Sequence, residues 1–251
     1  DNDSETWFRI QNFDPKTVDE VVKKVFNLVL NVMKFYEPYV NERKTGSSKS
    51  DHVLDQWILA LLDDVVFRMT AYLDDFKILE SARLIRDFIG DLSQWYLRRS
   101  RDRFKSDDEN DKQNAVNTLG FVLERLSIVM APFMPFLAED LYQKLRFDHS
   151  PESVHLEVWP EVAIKSAGQV LCLSQMEKVR QLVTLGLEAR AKVGIKVRQP
   201  LALLTLKDPA LQGADEYLQV LMDEVNVKVI AFDASLESEV FLDSNITEEL
   251  K

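Results

Sequence analysis

Apolar residues recur every three or four positions through the first two thirds of the chain, a spacing that predicts helices. Val18, Val21, Val22, Val25, Phe26, Val29 and Val32 hold this period long enough to outweigh the β-preference of valine. Asp14 and Pro15 mark the start, the carboxylate as N-cap and the proline at the first helical position, where its missing N–H costs nothing. The helix is expected to reach about Tyr36, where Pro38 and the polar stretch Asn41–Ser50, with Gly46 inside it, form a flexible turn. A second helix is expected from about Asp51, with Leu54, Ile58, Leu61, Leu62 and Val65 on one face. Asp74 and Asp75 mark a short turn before a third, striped by Ile85, Phe88, Ile89, Leu92, Trp95 and Tyr96. The polar segment Ser106–Lys112 closes it. Leu119–Met130 forms a fourth, and another begins near Pro135.

The pattern changes near His149. Val154–Pro160 alternates as a strand does, and Ser174-Gln175-Met176-Glu177 reads as a capping box opening a helix through about Ala191. Lys196–Leu206, Val227–Phe232 and Val240–Leu242 read as strands around a helix started by Asp208-Pro209. The fold class expected is therefore mostly α: an antiparallel helical bundle over residues 1–150, followed by a small α+β domain over 151–251.

Composition narrows the chemistry. Across 251 residues, 46% hydrophobic and 29% charged, the net charge is −11 and the pI about 4.9. Such a field repels nucleic acid except where positive charge is concentrated, so any RNA contact is expected to be local. Cys172 is single and His52, His149 and His155 are scattered, which leaves no Cys/His metal spacing and no intramolecular disulfide. No apolar run spans a bilayer, and the start Asp1-Asn2-Asp3-Ser4-Glu5 is not a signal peptide, so a cytoplasmic setting is expected.

One stretch opposes the overall charge. After Trp95 and Tyr96 come Arg98, Arg99, Arg101, Arg103 and Lys105, with Asp102 the only acid among them. Guanidinium forks hold phosphate oxygens, and flat rings accept the face of an unstacked base. The plain structural reading is a solvated helix end whose cations complement the dipole and pair with Asp87, Asp91 or Asp102, and Trp95 is expected to be core. Five cations in so short a run exceed what a dipole requires. A binding role is therefore expected.

The run Leu92–Phe104 resembles the helix of isoleucyl-tRNA synthetases that reads W-Y-x-R-R-S-R-x-R-F, in the helical anticodon-binding domain after the catalytic core. Leu54-Asp55-Gln56-Trp57-Ile58-Leu59 is similar to the opening of the preceding helix in that family. Ala131–Glu139 resembles the A-P-F-x-P-F-L-A-E run shared with valyl and leucyl relatives, and Val193–Leu201 resembles the downstream K-x-R-Q-P-L segment. Lys105 departs from the pattern, standing where the family usually carries a second aromatic. Ile246–Lys251 resembles the entry into further helices.

The resemblance implies an anticodon-binding region that recognises an isoleucine-type tRNA for catalytic and editing domains elsewhere in the same polypeptide, with neither membrane nor DNA as partner. Arg98, Arg99, Arg101, Arg103 and Lys105 are then candidates for phosphates or base edges, Tyr96 and Phe104 for stacking, and Lys192, Lys196 and Arg198 for the tRNA stem. Arg198 could instead tie its strand down through a buried ion pair. ATP and magnesium are expected only for the full-length enzyme. The chain has neither H-I-G-H nor K-M-S-K-S, and Gly46-Ser47-Ser48-Lys49-Ser50 matches only the last three residues of the latter. No catalytic or metal residue is therefore assigned, and the chain reads as a carboxy-terminal fragment. A protein-interaction bundle, or the same region of a valyl- or leucyl-type enzyme, remains the alternative. Asp63-Asp64, Asp74-Asp75 and Asp107-Asp108 read as solvated or turn residues, since adjacent acids on a helix diverge.

Overall fold

Helical periodicity dominates the computed structural model, which describes residues 15–44 and 50–245. The expected Asp14 cap, most of the turn around Gly46 and the Ile246–Lys251 segment lie outside the described residues. The chain divides into two compact units, one holding residues up to Ser50 together with 62–162, the other holding 51–61 together with the residues from 163 onward.

The first unit is helical. It contains α1 (Pro15–Val21), a π-turn over Val22–Phe26 and α2 (Asn27–Tyr36), which passes into a 3-10 turn, Glu37–Glu42. Val25, Val29 and Val32 bury the valine stripe, while Val18, Val21 and Val22 are exposed. α3 (Val53–Asp74) supplies its first residues to the other unit and its remainder to this one. α4 (Ile78–Asp91), a π-turn over Leu92–Leu97, α5 (Arg98–Ser100) and a 3-10 turn over Arg103–Lys105 follow. α6 (Glu109–Met130) is capped by Asp108, whose carboxylate accepts from the N–H groups of Asn110 and Asp111 at 2.9 and 3.2 Å. α7 (Pro135–Leu145) begins on its proline, as expected from the sequence.

Gly120 is a point of close approach. A Cβ there would lie 2.5 Å from Arg43 Cδ and 2.9 Å from its Nε, and would also collide with Tyr36 Oη. Neither neighbour is free to yield. The Tyr36 hydroxyl donates to Val116 O at 3.0 Å, and burial holds its pKa well above the usual phenol range. Arg43 pairs with Glu124 and lies 4.7 Å from the Phe147 ring centroid. Gly120→Ala is expected to destabilise, because overpacking of about 1–3 kcal/mol outweighs the helix-propensity gain of about 1 kcal/mol. Urea unfolding checks this: a raised midpoint would show that the contact relaxes.

The second unit sets α8 (Ala167–Lys192) beside a small mixed sheet. Its strands are β1 (Leu201–Leu206), then, after α9 (Asp215–Val225), β2 (Val227–Phe232) and β3 (Val240–Leu242), in the order β2-β1-β3. β1 pairs parallel with β2, Leu201 opposite Val227, and antiparallel with β3, Leu204 opposite Leu242. α8 packs against α9 and β3.

Four expectations are corrected here. Val154–Pro160 is not a strand: Val154–Leu156 is a 3-10 turn whose start is capped by the Ser153 hydroxyl. The capping box belongs to Ser166 and Gln169, so α8 starts earlier, and Ser174 sits inside it with its hydroxyl bonded to Leu171 O at 2.9 Å. Residues 196–200 form a turn, so β1 begins at Leu201. Asp208 caps only a turn through Ala210 N, and α9 starts at Asp215.

Candidate nucleic-acid interface

The basic run is sorted by its local backbone. A π-turn spaces hydrogen bonds at i to i+5 and so takes up an extra residue within one turn. Across Leu92–Leu97 this keeps Tyr96 on the stripe continuing from Phe88, Ile89 and Leu92 and brings in Leu97 rather than Trp95. The expected roles are therefore exchanged: Tyr96 is fully buried and Trp95 only half-buried. Tyr96 offers no stacking face.

Phe104 is corrected in the same way. It is 1% exposed and packs edge-on against Phe35 at 5.0 Å and tilted against Tyr39 at 5.1 Å. The 3-10 turn after α5 directs it inward, toward the end of α2 and the turn that follows. Arg103 does not project to a ligand either. It is buried, and its Nε and Nη2 both reach Asp111 Oδ1, at 2.8 and 2.7 Å, tying the turn to the start of α6. A guanidinium committed to an internal carboxylate leaves little for a phosphate.

Three of the remaining four cations face outward. Arg98, Arg101 and Lys105 are exposed and Arg99 is half-buried. Arg98 Nε donates to Gln94 O at 2.8 Å, one helical turn back. The Arg101 guanidinium lies over the Phe35 ring, 5.4 Å from its centroid. Phe35 and Tyr39, half-buried and 5.8 Å apart, stand beside Phe104, so three rings and a guanidinium meet at one place on the first unit.

Lys192, Lys196 and Arg198 are all exposed on the second unit. Arg198 is exposed and makes no buried ion pair among the described residues, and the buried arginine of the second unit is Arg190. Its Nε donates to Val225 O at 2.6 Å, Nη1 to Lys196 O at 3.1 Å and Gln199 O at 2.9 Å, and Nη2 to Asn226 O at 2.7 Å. Burial pushes its pKa down, yet a guanidinium stays charged. Gly194, at φ 72°, turns the chain out of α8 into the loop that carries Lys196 and Arg198. Arg190 holds that loop by its carbonyls. The signal missed in the sequence is its position four residues after Gly186, on the stripe of Met176, Val179 and Val183.

A family model described as the anticodon-binding domain of tRNA ligase matches residues 55–205. The chain belongs to this family. Isoleucine–tRNA ligases resemble it over most of its length. That of Thermus thermophilus is 37% identical over 233 residues, 88% of this chain. That of Clostridium tetani is 34% identical over 237 residues, 91% of this chain, and isoleucine–tRNA ligase 2 of Bacillus anthracis is 36% identical over 242 residues, 94% of this chain. The chain spans only 22–23% of the length of these relatives. The anticodon-binding family match takes in α4, the arginine run, α6, α7, α8 and β1 to Thr205.

Among the described residues of this anticodon-binding chain, no group of three or more His, Cys, Asp or Glu side chains is placed to hold a metal ion. Nor is any helix among them long and apolar enough to cross a membrane.

Proposed function

We propose that this anticodon-binding chain serves an isoleucine-type tRNA ligase, gripping the anticodon stem-loop of an isoleucine-type tRNA and positioning it for a catalytic domain elsewhere in the longer protein. The observation that carries this is the exposure of Arg98, Arg101 and Lys105 around the end of α5 in a chain of net charge −11. Repulsion over the rest of the surface makes a local cationic patch directional, because only one approach brings phosphates to positive charge. Arg98 and Arg101 contact backbone phosphates, with Arg99 and Lys105 beside them. Lys192, Lys196 and Arg198 contact the stem. ATP and magnesium belong to the catalytic part, and the setting is cytoplasmic.

Replacing Arg98 and Arg101 together with Ala is expected to weaken binding to the stem-loop and to flatten its salt dependence. Each lost phosphate contact lowers the log–log slope by roughly one. Both residues are exposed, so melting should be unaffected. An unchanged slope removes them from the interface, and equal affinity for matched and scrambled loops removes the isoleucine-type assignment.

A further inference from the structure

The aromatic surface expected from Tyr96 and Phe104 is not available, since both rings are buried. Its place is taken by residues from another part of the chain. We infer that Phe35 and Tyr39, with the Arg101 guanidinium laid over Phe35, form a stacking platform for one unpaired nucleobase of the RNA. This rests on the reading of the arginine run as an RNA contact and names the residues that would touch a base.

The geometry supplies each part of such a platform. Phe35 and Tyr39 are four residues apart across the junction of α2 with its 3-10 turn, so they share one side of it. Phe104 lies beneath both, edge-on to Phe35 at an interplanar angle of 82°, which fixes the Phe35 ring. The Arg101 guanidinium, 5.4 Å from the Phe35 centroid, is within cation–π range and is exposed. A guanidinium is planar, delocalised and weakly hydrated. Steadied beside a ring, it offers a flat surface to a base, and part of the ordering is done before binding. Tyr39 extends the apolar surface at its side. The adjacent Arg98 and Lys105 supply charge for the flanking phosphates. A phosphate-only role for Arg101 would not need the ring behind it.

The test uses the whole chain and three kinds of hairpin sharing one stem: the isoleucine-type anticodon loop, a scrambled loop, and a series of the anticodon loop made abasic at each unpaired position in turn. The abasic replacement at the stacked position is expected to weaken wild-type binding by between about 5-fold and 150-fold, the size of one base stack. Arg101→Lys keeps the charge and removes the plane. It should abolish most of that abasic penalty while leaving the salt slope unchanged. Phe35→Leu keeps apolar volume and should do the same, with melting measured alongside. If Phe35→Leu fails to fold, Arg101→Lys decides alone, because Arg101 is exposed. An abasic penalty retained in Arg101→Lys, or absent from the wild type at every position, overturns the platform even when the hairpin binds. Loss of the preference for the matched loop, with the penalty intact and sensitive to Arg101→Lys, overturns the isoleucine reading and keeps the platform. No binding to any hairpin overturns both.

Discussion

Arg190→Ala is expected to be among the most damaging single changes in the second unit, lowering stability by about 3–5 kcal/mol. The guanidinium is 1% exposed and donates to four carbonyls, those of Val225, Asn226, Lys196 and Gln199. A buried acceptor left without a donor costs about 1–3 kcal/mol, so four would cost more than the whole if water did not refill part of the space. The loss of side-chain packing adds to it. Arg190→Lys should recover little. An ammonium has three donors at one point, whereas the carbonyls are reached by three nitrogens spread across a planar fork. Urea unfolding measures the loss, and hydrogen exchange locates it: the Gln199 and Leu201 amides, bonded to Lys196 O and Asn226 O, should lose protection first. A variant that loses less than about 1 kcal/mol would show that the loop and the α9–β2 corner hold themselves.

This knot also explains how basic residues of the second unit can be presented on a defined surface. Lys196 and Arg198 lie on a loop with no strand partner, and a solvated loop ordinarily has many conformations. Two of the four carbonyls held by Arg190 belong to Lys196 and Gln199, which bracket Arg198. Asn226, in the left-handed region at φ 53°, adds a bond from its amide to Val197 O at 2.8 Å. The backbone is thereby fixed on both sides of the exposed side chains, so, if these contact the stem as proposed, an arginine with no part in binding would still control affinity for it.

Helix existence was legible in the sequence because apolar periods are long, and the starts at Pro135 and the turn at Asp74-Asp75 were legible from residues whose backbone preference is strong. Boundaries set by competing signals were not. Ser166-x-x-Gln169 and Ser174-x-x-Glu177 have the same form, and only packing of Cys172 and Met176 against the unit decides that the helix passes through the second. Val154–Pro160 alternates in hydropathy, but it is short and has no neighbouring strand to pair with among the described residues. The arginine run was legible as chemistry and only half legible as geometry. Periodicity assumes a uniform helical pitch, and the π-turn at Leu92–Leu97 breaks that assumption where the candidate site begins. Every assignment after it, from Trp95 to Phe104, depends on a rotation that residue types do not disclose. Phe35 and Tyr39 were invisible as site residues because their partners lie far along the chain.

Phe104→Ala is accordingly expected to act on folding first, destabilising by about 3–5 kcal/mol, as a large aromatic removed from a core does. In a chain of this length that corresponds to a fall in melting temperature on the order of 10 °C. The ring is buried, and its removal would leave Phe35 and Tyr39 facing a cavity where an edge-on contact at 5.0 Å and a tilted one at 5.1 Å now lie. Trp95→Ala, at a half-buried position, should cost less. The comparison is informative because periodicity carried through the π-turn predicts the reverse order, with Trp95 in the stripe and Phe104 outside it. Phe104→Leu separates packing from recognition. It refills most of the cavity and should restore much of the melting temperature, but it removes the edge that orients Phe35 beneath Arg101. Loop binding in Phe104→Leu should therefore recover less completely than stability. A Phe104→Ala variant that melts with the wild type would place the ring outside the core, and with it would go the floor on which Phe35 and Tyr39 rest.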